Sequence, residues 1–401
     1  MPSTLPDGEP VPTDGSLPAP AVVDLTRTPL SIYLHVPFCS TRCGYCDFNT
    51  YTANELQGTG TSDYLAAAHA EIDLAARILD GAPPASTIFV GGGTPTLLTG
   101  AELGGLVAHV RDVIGLAPDA EVTTEANPET VTPQLLDELL ATGFTRMSLG
   151  MQSATPSVLR LLDRVHTPGR AVEVARMAHA AGFADVSLDL IYGTPGESLD
   201  DWRTSLETAL SADPEHISAY ALIIEDGTRL ARRIERGEVP MTDDDDLADK
   251  YLLAEEVLTK AGLDAYEVSN WSRGVQHRAR HNMAYWLGHN WWGIGPGAHS
   301  HVGGVRWWNV KHPRSYAAAL AAGRSPGAGR EVLNPDDRRV ERVLLELRLS
   351  DGLPVEVLTD SEAERVHAVV DSGLGELRNQ NLVLTLRGRL LADAVIRDLL
   401  D

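Results

Sequence analysis

Six short runs rich in β-branched and apolar residues recur between residues 31 and 224, each followed by a longer stretch of mixed character. They are SIYLHV (31–36), STIFVGG (86–92), EVTTEAN (121–127), RMSLGMQ (146–152), DVSLDLIYG (185–193) and HISAYALII (216–224). Strand-like runs alternating with helix-like segments build repeated βα units around a parallel sheet, an α/β fold. The segment 61–81 is a clear helix, with Leu65, Ala68, Ile72, Leu74 and Ala75 marking its apolar face. Six units predict a partial (β/α)6 barrel; the later sequence does not offer the two further clean strands that a closed eight-stranded barrel requires. In such folds the chemistry sits at the carboxyl ends of the strands, so polar residues there are site candidates.

All three cysteines of the 401-residue chain, Cys39, Cys43 and Cys46, stand just after the first strand-like run. The amino terminus lacks the basic and apolar parts of a secretory signal, and no run of eighteen apolar residues exists, so the expectation is a cytoplasmic protein without a transmembrane segment. A formal charge of −23 argues against nucleic-acid partners and anionic lipid, which need basic patches. In a reducing compartment clustered thiols point to metal rather than disulfides. Structural zinc wants a fourth ligand and usually a second C-x2-C pair, which is absent. A thioredoxin-like reading of Cys43 to Cys46 leaves Cys39 without a role. A 4Fe-4S cluster accepts three thiolates and keeps one iron open to a reactant. The C-x3-C-x2-C spacing resembles the radical S-adenosylmethionine (SAM) superfamily.

Beyond the cysteines, GGGTPT (91–96) follows the second run and lacks the lysine and spacing of a phosphate loop. Its glycines allow close backbone approach to a small ligand, or simply a tight turn. Glu125, Gln152 and Asp189 end the third, fourth and fifth runs, which places a polar ring at one end of the inferred sheet.

Seven ordered motifs, YLHVPFCSTRCGYCDFNTY, GGGTPT, TTEANPE, GMQS, DRVHT, DLIYGTPGES and HNMAYW, are similar to those of the family of oxygen-independent coproporphyrinogen III oxidases, and more closely to its haem-chaperone branch. The resemblance spans roughly residues 30–400. It implies that Cys39, Cys43 and Cys46 ligate the cluster. It further implies that Tyr33, Tyr45, Gly92, Gly93, Thr94, Glu125, Gln152, Arg164 and Asp189 hold SAM, with Arg164 on the methionyl carboxylate and Asp189 on the ribose. The oxidases continue to a fourth cysteine, C-x3-C-x2-C-x-C; Phe48 stands at that position here, which puts coproporphyrinogen decarboxylation in doubt.

Six of the thirteen histidines and six of the seven tryptophans fall between Trp271 and His312, in a glycine-rich segment that reads as loop-heavy. Aromatics with imidazoles can sandwich a flat macrocycle and ligate its iron, or form an ordinary packing cluster. The resemblance links H-N-x-x-Y-W, with His281, Tyr285 and Trp286, to haem; His277, His289, His299 and His301 are the other candidate ligands. TDDDD (242–246) caps the helix after it. From about residue 326 Leu, Arg and Glu at helical spacing, then a strand pair and a helix, give a small α+β winged-helix-like domain, here expected as a lid or interaction module. The expected division is a disordered leader (1–28), the partial barrel (29–240), an extension carrying the His/Trp segment (241–324) and the carboxy-terminal domain (325–401). Two readings follow: a carrier that binds haem as cargo for acceptor proteins, or a radical oxidase acting on coproporphyrinogen III. Either needs an electron donor if SAM is cleaved, and no catalytic residue is assigned.

Overall fold

The structure, a computed structural model, describes residues 7–56, 60–164 and 167–400. Six strands form its centre: β1 (Leu30–Val36), β2 (Ala85–Gly92), β3 (Leu116–Ala126), β4 (Arg146–Gln152), β5 (Asp185–Tyr192) and β6 (His216–Ala221). They pair in parallel in chain order. Helices connect them, among them Thr61–Ile78, Gly100–Val113 and Leu199–Leu210. The latter two start at capping boxes, Thr99 with Glu102 and Ser198 with Asp201, which satisfy backbone donors at the helix ends.

Side chains along these strands sort by parity, because successive residues point to opposite faces. Ile32 and Leu34 of β1, Met147 and Leu149 of β4, and Val186 and Leu188 of β5 pack into the helix-covered core. Their alternates, Tyr33, Ser148, Asp189 and Ser218 among them, line an inner cavity instead. A polar inner face marks a binding chamber, since a packed barrel interior would be filled by branched apolar residues. A one-residue slip in any strand would exchange the two sets, so the alternation fixes the register.

The sheet does not end with these six. On one side β9 (Asn290–Ile294) pairs in parallel with β1, followed by β10 (His299–Val302), β11 (Val305–Asn309) and β12 (Gly327–Val332) in antiparallel order; beyond β6 lie β8 (Asn270–Ser272) and β7 (Asp264–Ala265). These twelve strands make one mixed sheet. This corrects the loop-heavy reading of 271–312. The glycines there are turns between short strands, as at Gly303 and Gly304, whose φ values of 57° and 83° suit a hairpin that other residues would strain. Trp292 and Trp307 then pack edge to face at 4.7 Å. Glu71, on the helix behind β1, ties this extension in. Its carboxylate accepts from Gly295 N–H (2.8 Å), Asn309 Nδ2 (2.8 Å) and the Tyr316 hydroxyl (2.5 Å).

Residues 7–28 also depart from the expected disordered leader. Glu9 bridges Arg330 of β12, the helix Ala19–Asp24 buries Ala21, and Leu25 is buried after it. The apolar residues are too few to show a period, yet they suffice to cover a sheet edge already built. Residues 1–6 lie outside the described residues.

β12 falls after the expected boundary at 325 but hydrogen-bonds to β11, so the carboxy-terminal unit starts beyond it. That unit has its own core of Val343, Leu353, Val366, Leu382 and Val395 and a three-stranded sheet of β13 (Leu353–Pro354), β14 (Gly375–Arg378) and β15 (Asn381–Leu384). Asn379 and Gln380, both with positive φ, turn the β14–β15 hairpin. Arg389 anchors the unit on the helix Asp244–Lys260 through Glu255 at 2.5 Å. That helix begins at Asp243, whose side chain accepts the Asp246 N–H, as the acidic run predicts. No described helix is long and apolar enough to cross a membrane.

Burial pushes the Glu71 and Glu197 carboxyls up to about 7. A carboxyl raised on folding stabilises the chain fully below its ordinary value of 4.5 and loses that contribution as pH climbs through about 7. Buried neutral histidines such as His35, lowered to about 4 by desolvation, act oppositely, but only up to their ordinary 6.5. The thermal midpoint is therefore expected to fall between about pH 6.5 and about pH 8. A midpoint that rises through that window in a melting series would contradict the buried-carboxyl account.

Candidate functional site

The cysteine loop leaves the carboxyl end of β1 and returns along it. Cys39 N–H donates to Tyr51 O (3.0 Å), Tyr51 N–H to Pro37 O (2.7 Å) and Cys46 N–H to Cys43 O (3.3 Å). Gly44 is clamped from both sides: its N–H donates to Leu162 O (3.1 Å) and its carbonyl accepts from Leu230 N–H (2.8 Å). A Cβ there would lie 2.4 Å from Asp163 Oδ2, so a larger residue between the cysteines requires the Asp163 side chain to move. Asn49 fastens the far end by donating to Pro296 O and Lys311 O, each at 2.9 Å.

All three thiols face one cavity and are half-buried. Arg164 Nη1 stands 3.5 Å from Cys43 Sγ, and the Thr94 hydroxyl 4.0 Å from Cys39 Sγ. Burial raises Cys39 and pushes Cys46 up to about 11, so these thiols give up protons when they take metal. Among the described residues no three His, Cys, Asp or Glu side chains converge on a single ion. Three soft donors spread around one loop suit the corners of a cluster. Phe48, at the place of a fourth cysteine, is 51% exposed.

The cavity encloses about 590 Å³. Tyr33, Tyr45, Gly92, Gly93, Thr94, Glu125, Gln152, Arg164 and Asp189 all line it together with the cysteines. Gly93 sits so close to the loop that a Cβ would meet Phe38 O at 2.3 Å, and Gly92 adopts φ 111°. Both glycines are therefore required by the chain itself as well as by any ligand above them. Glu125 Oε2 accepts the Gly92 N–H at 2.9 Å, and Asp189 accepts the Ser148 hydroxyl at 2.8 Å. Burial, reinforced by the charge of Asp189, pushes Glu125 up to about 7, and burial raises Asp189 also. Two carboxylates buried in one chamber favour a ligand that brings positive charge. Among the described residues Arg164 Nε is buried without a partner, a donor left for a ligand carboxylate. A zwitterion carrying a sulfonium meets both requirements. Gln152 has φ 66° at a register shift ending β4, an off-region backbone at a site position. The motif DRVHT is only partly described: its Val165 and His166 lie outside the described residues.

The H-N-x-x-Y-W motif lies at the opposite end of the chamber. Its helix, Arg280–Trp286, presents its first N–H groups to Glu121, which accepts from Arg280 and His281 at 3.0 Å each. His281 is buried; Nδ1 meets Thr87 Oγ1 at 2.7 Å, Nε2 meets the Tyr285 hydroxyl at 2.9 Å, and the ring stacks on Phe89 at 5.2 Å. Desolvation lowers it to about 3, so it is neutral. Asn282 Nδ2 donates to Tyr266 Oη and Glu267 Oε1, each at 3.3 Å. The motif is a plug that closes the amino-terminal end of the strands. This runs against His281 as haem ligand, because both its ring nitrogens are engaged. Tyr285 lines the cavity beside it, whereas Trp286 is half-buried and not part of the lining. His277 Nδ1 binds Asp185 (2.6 Å) and His301 Nδ1 meets His289 O (3.0 Å). His289 and His299 are half-buried, and burial lowers both.

Sequence reasoning missed the lower lining of the chamber: Thr87 and Glu121 hold the plug, and Arg146, Ser187, His216 and Ser218 face the cavity. Alternation along the six strands carries that signal, since every second residue of apparently apolar runs is polar.

A parallel six-stranded centre with a three-cysteine loop after its first strand and a ring of polar strand ends defines a radical SAM protein. Residues 33–209 match the Radical SAM superfamily model, and residues 333–391 match the HemN C-terminal domain. Over 381 residues the chain is 54% identical to the Heme chaperone HemW of Mycobacterium tuberculosis, covering 95% of this chain and 97% of that one. It is 35% identical over 332 residues to the Heme chaperone HemW of Escherichia coli, 81% and 84% of the two chains. The solved structure of the Escherichia coli coproporphyrinogen III oxidase HemN superposes with a TM-score of 0.79 over 94% of this chain and 92% of that one; at 23% identity it shows a shared fold. The chain belongs to the HemW family. Membership of the radical SAM superfamily implies a 4Fe-4S cluster and SAM.

Proposed function

We propose that this protein is a cytoplasmic haem chaperone, which takes up haem and passes it to acceptor proteins while carrying a 4Fe-4S cluster and SAM. The observation that carries this reading is the 54% identity across nearly the whole chain to a protein named as a haem chaperone. Phe48 in place of the oxidases' fourth cysteine supports it. In this reading Cys39, Cys43 and Cys46 hold three irons of the cluster, and Arg164, Glu125, Asp189, Gln152 and the backbone at Gly92 to Thr94 hold SAM, with Tyr33 and Tyr45 walling the chamber. Bound together, cluster and SAM supply reductive cleavage of the sulfonium when an electron donor is present. The chain's own work is to bury the charged ends of SAM between Arg164 and the two carboxylates and to keep bulk water out with the His281 plug.

Incubation of the reconstituted, reduced protein with coproporphyrinogen III under anaerobic conditions is expected to yield no protoporphyrinogen. Stoichiometric or catalytic decarboxylation, with SAM consumed, would overturn the carrier reading in favour of an oxidase.

A further inference from the structure

Arg164 is held against the cysteine loop by the main chain itself. Asp163, with φ 53°, turns the chain after the short helix Pro156–Leu161, and the Arg164 N–H closes that turn on Leu159 O at 2.9 Å. The same turn grips the loop between two of its cysteines, because Leu162 O accepts the Gly44 N–H at 3.1 Å. The guanidinium then reaches back over Cys43: Nη1 stands 3.5 Å from its Sγ, and Nη2 donates to Gly150 O at 3.3 Å. Gly150 leaves the room for it, since a Cβ there would lie 2.7 Å from Nη2. These Nη groups therefore meet a sulfur and a carbonyl oxygen. Arg42 and Arg229, beside the same loop, are instead paired near the surface with Glu55 (3.4 Å) and Asp163 (3.1 Å). A guanidinium is not deprotonated in proteins, so a permanent cation is seated on a cluster ligand.

Reduction adds one negative charge to an iron–sulfur cluster, and hydrogen bonds to its sulfurs together with nearby charge set its potential. A donor that is also a cation, placed on a ligating sulfur, favours the reduced form on both counts. Its seat between β4 and the loop strengthens the effect, because a partly buried charge is screened far less than an ion-paired arginine at the surface. Resting on the cluster assignment, we propose that Arg164 sets the reduction potential of the cluster, holding it above the value that the three thiolates alone would give. This role is separate from its contact with SAM. The step concerned is the entry of one electron from an external donor into the cluster, and no bond forms or breaks in it. The same charge makes the reduced cluster a weaker reductant toward the sulfonium. Arg164 thus favours a cluster that is readily reduced and keeps its electron.

The test is a redox titration of the cluster-loaded full chain without SAM, followed by the paramagnetic resonance of the reduced cluster. It compares the parent with Arg164→Met, Arg164→Gln, Arg164→Lys and Arg229→Gln. The two neutral variants at Arg164 are expected to lower the reduction equilibrium constant about tenfold, a fall of about 59 mV in midpoint. Arg164→Lys, which keeps the charge and loses the fork, is expected between them and the parent. Arg229→Gln is expected to stay within about twofold of the parent, as a surface pair requires. The gap between parent and neutral variants is expected to persist at about 1 M salt. Iron and acid-labile sulfide equal to the parent's establish that the clusters compared are intact. Midpoints of the neutral variants equal to the parent's overturn the proposal and leave the cluster assignment standing. So does an Arg229→Gln shift as large as theirs, which would make the effect a general field around the loop. Loss of the cluster in both neutral variants would make Arg164 an assembly residue and also overturns it. A parent without a reducible iron–sulfur cluster overturns the cluster assignment itself.

Discussion

Serine in place of Cys39, Cys43 or Cys46 is expected to strip the anaerobically reconstituted protein of its visible iron–sulfur absorption, lowering bound iron from about four per chain to below about one. Two thiolates on a half-buried loop leave two cluster corners without a protein ligand. No described His, Asp or Glu converges with the cysteines to replace the missing one. The fold itself survives in this account, because the loop is pinned by main-chain bonds through Cys39, Gly44 and Tyr51 rather than by sulfur. Far-ultraviolet circular dichroism therefore stays as in the parent while iron and acid-labile sulfide vanish together. Phe48→Ser, changed on the same loop two residues after Cys46, is expected to leave iron content untouched. A parent that purifies with zinc and no iron, or a serine variant that keeps its full cluster, would contradict the assignment.

His281→Leu has the second large effect, on stability rather than on haem. Leucine removes two buried hydrogen bonds, leaves Thr87 Oγ1 and the Tyr285 hydroxyl facing an apolar group, and loses the stacking on Phe89. Unsatisfied buried hydroxyls cost about 1–3 kcal/mol each, so the unfolding free energy is expected to drop by about 2–4 kcal/mol. Haem affinity is expected to stay within about twofold of the parent, since both ring nitrogens of His281 are already engaged within the plug. Denaturant unfolding and a Soret titration on the same preparation separate the two roles. Unchanged stability with haem binding weakened about tenfold would restore His281 as the iron ligand.

Much of the site was legible in the sequence because it lies where six strong strand signals end. The three cysteines, the glycine run and the carboxylates of β3 and β5 sit at equivalent positions of consecutive βα units, so parallel pairing in chain order gathers them. The segment from Trp271 to His312 was opaque for the opposite reason. Its strands are three to five residues long, too short to show a period, and β9 finds its partner β1 roughly 260 residues earlier. Composition alone made its histidines resemble ligands. Their actual partners, Thr87 for His281 and Asp185 for His277, lie 194 and 92 residues away and could not be read from local sequence. The leader was misread similarly, since Ala21 and Leu25 become core only once β10 and β11 provide a surface to cover.

Haem handover tests the central claim most directly. The cluster-loaded protein, charged with one equivalent of haem, is mixed with a haem-free b-type haemoprotein, and the acceptor's own Soret spectrum is followed. The account predicts saturable loading of the carrier and transfer of that equivalent to the acceptor, with the carrier recovered haem-free and its cluster intact. Haem that never binds saturably, or that binds and cannot be withdrawn by an acceptor, would contradict it.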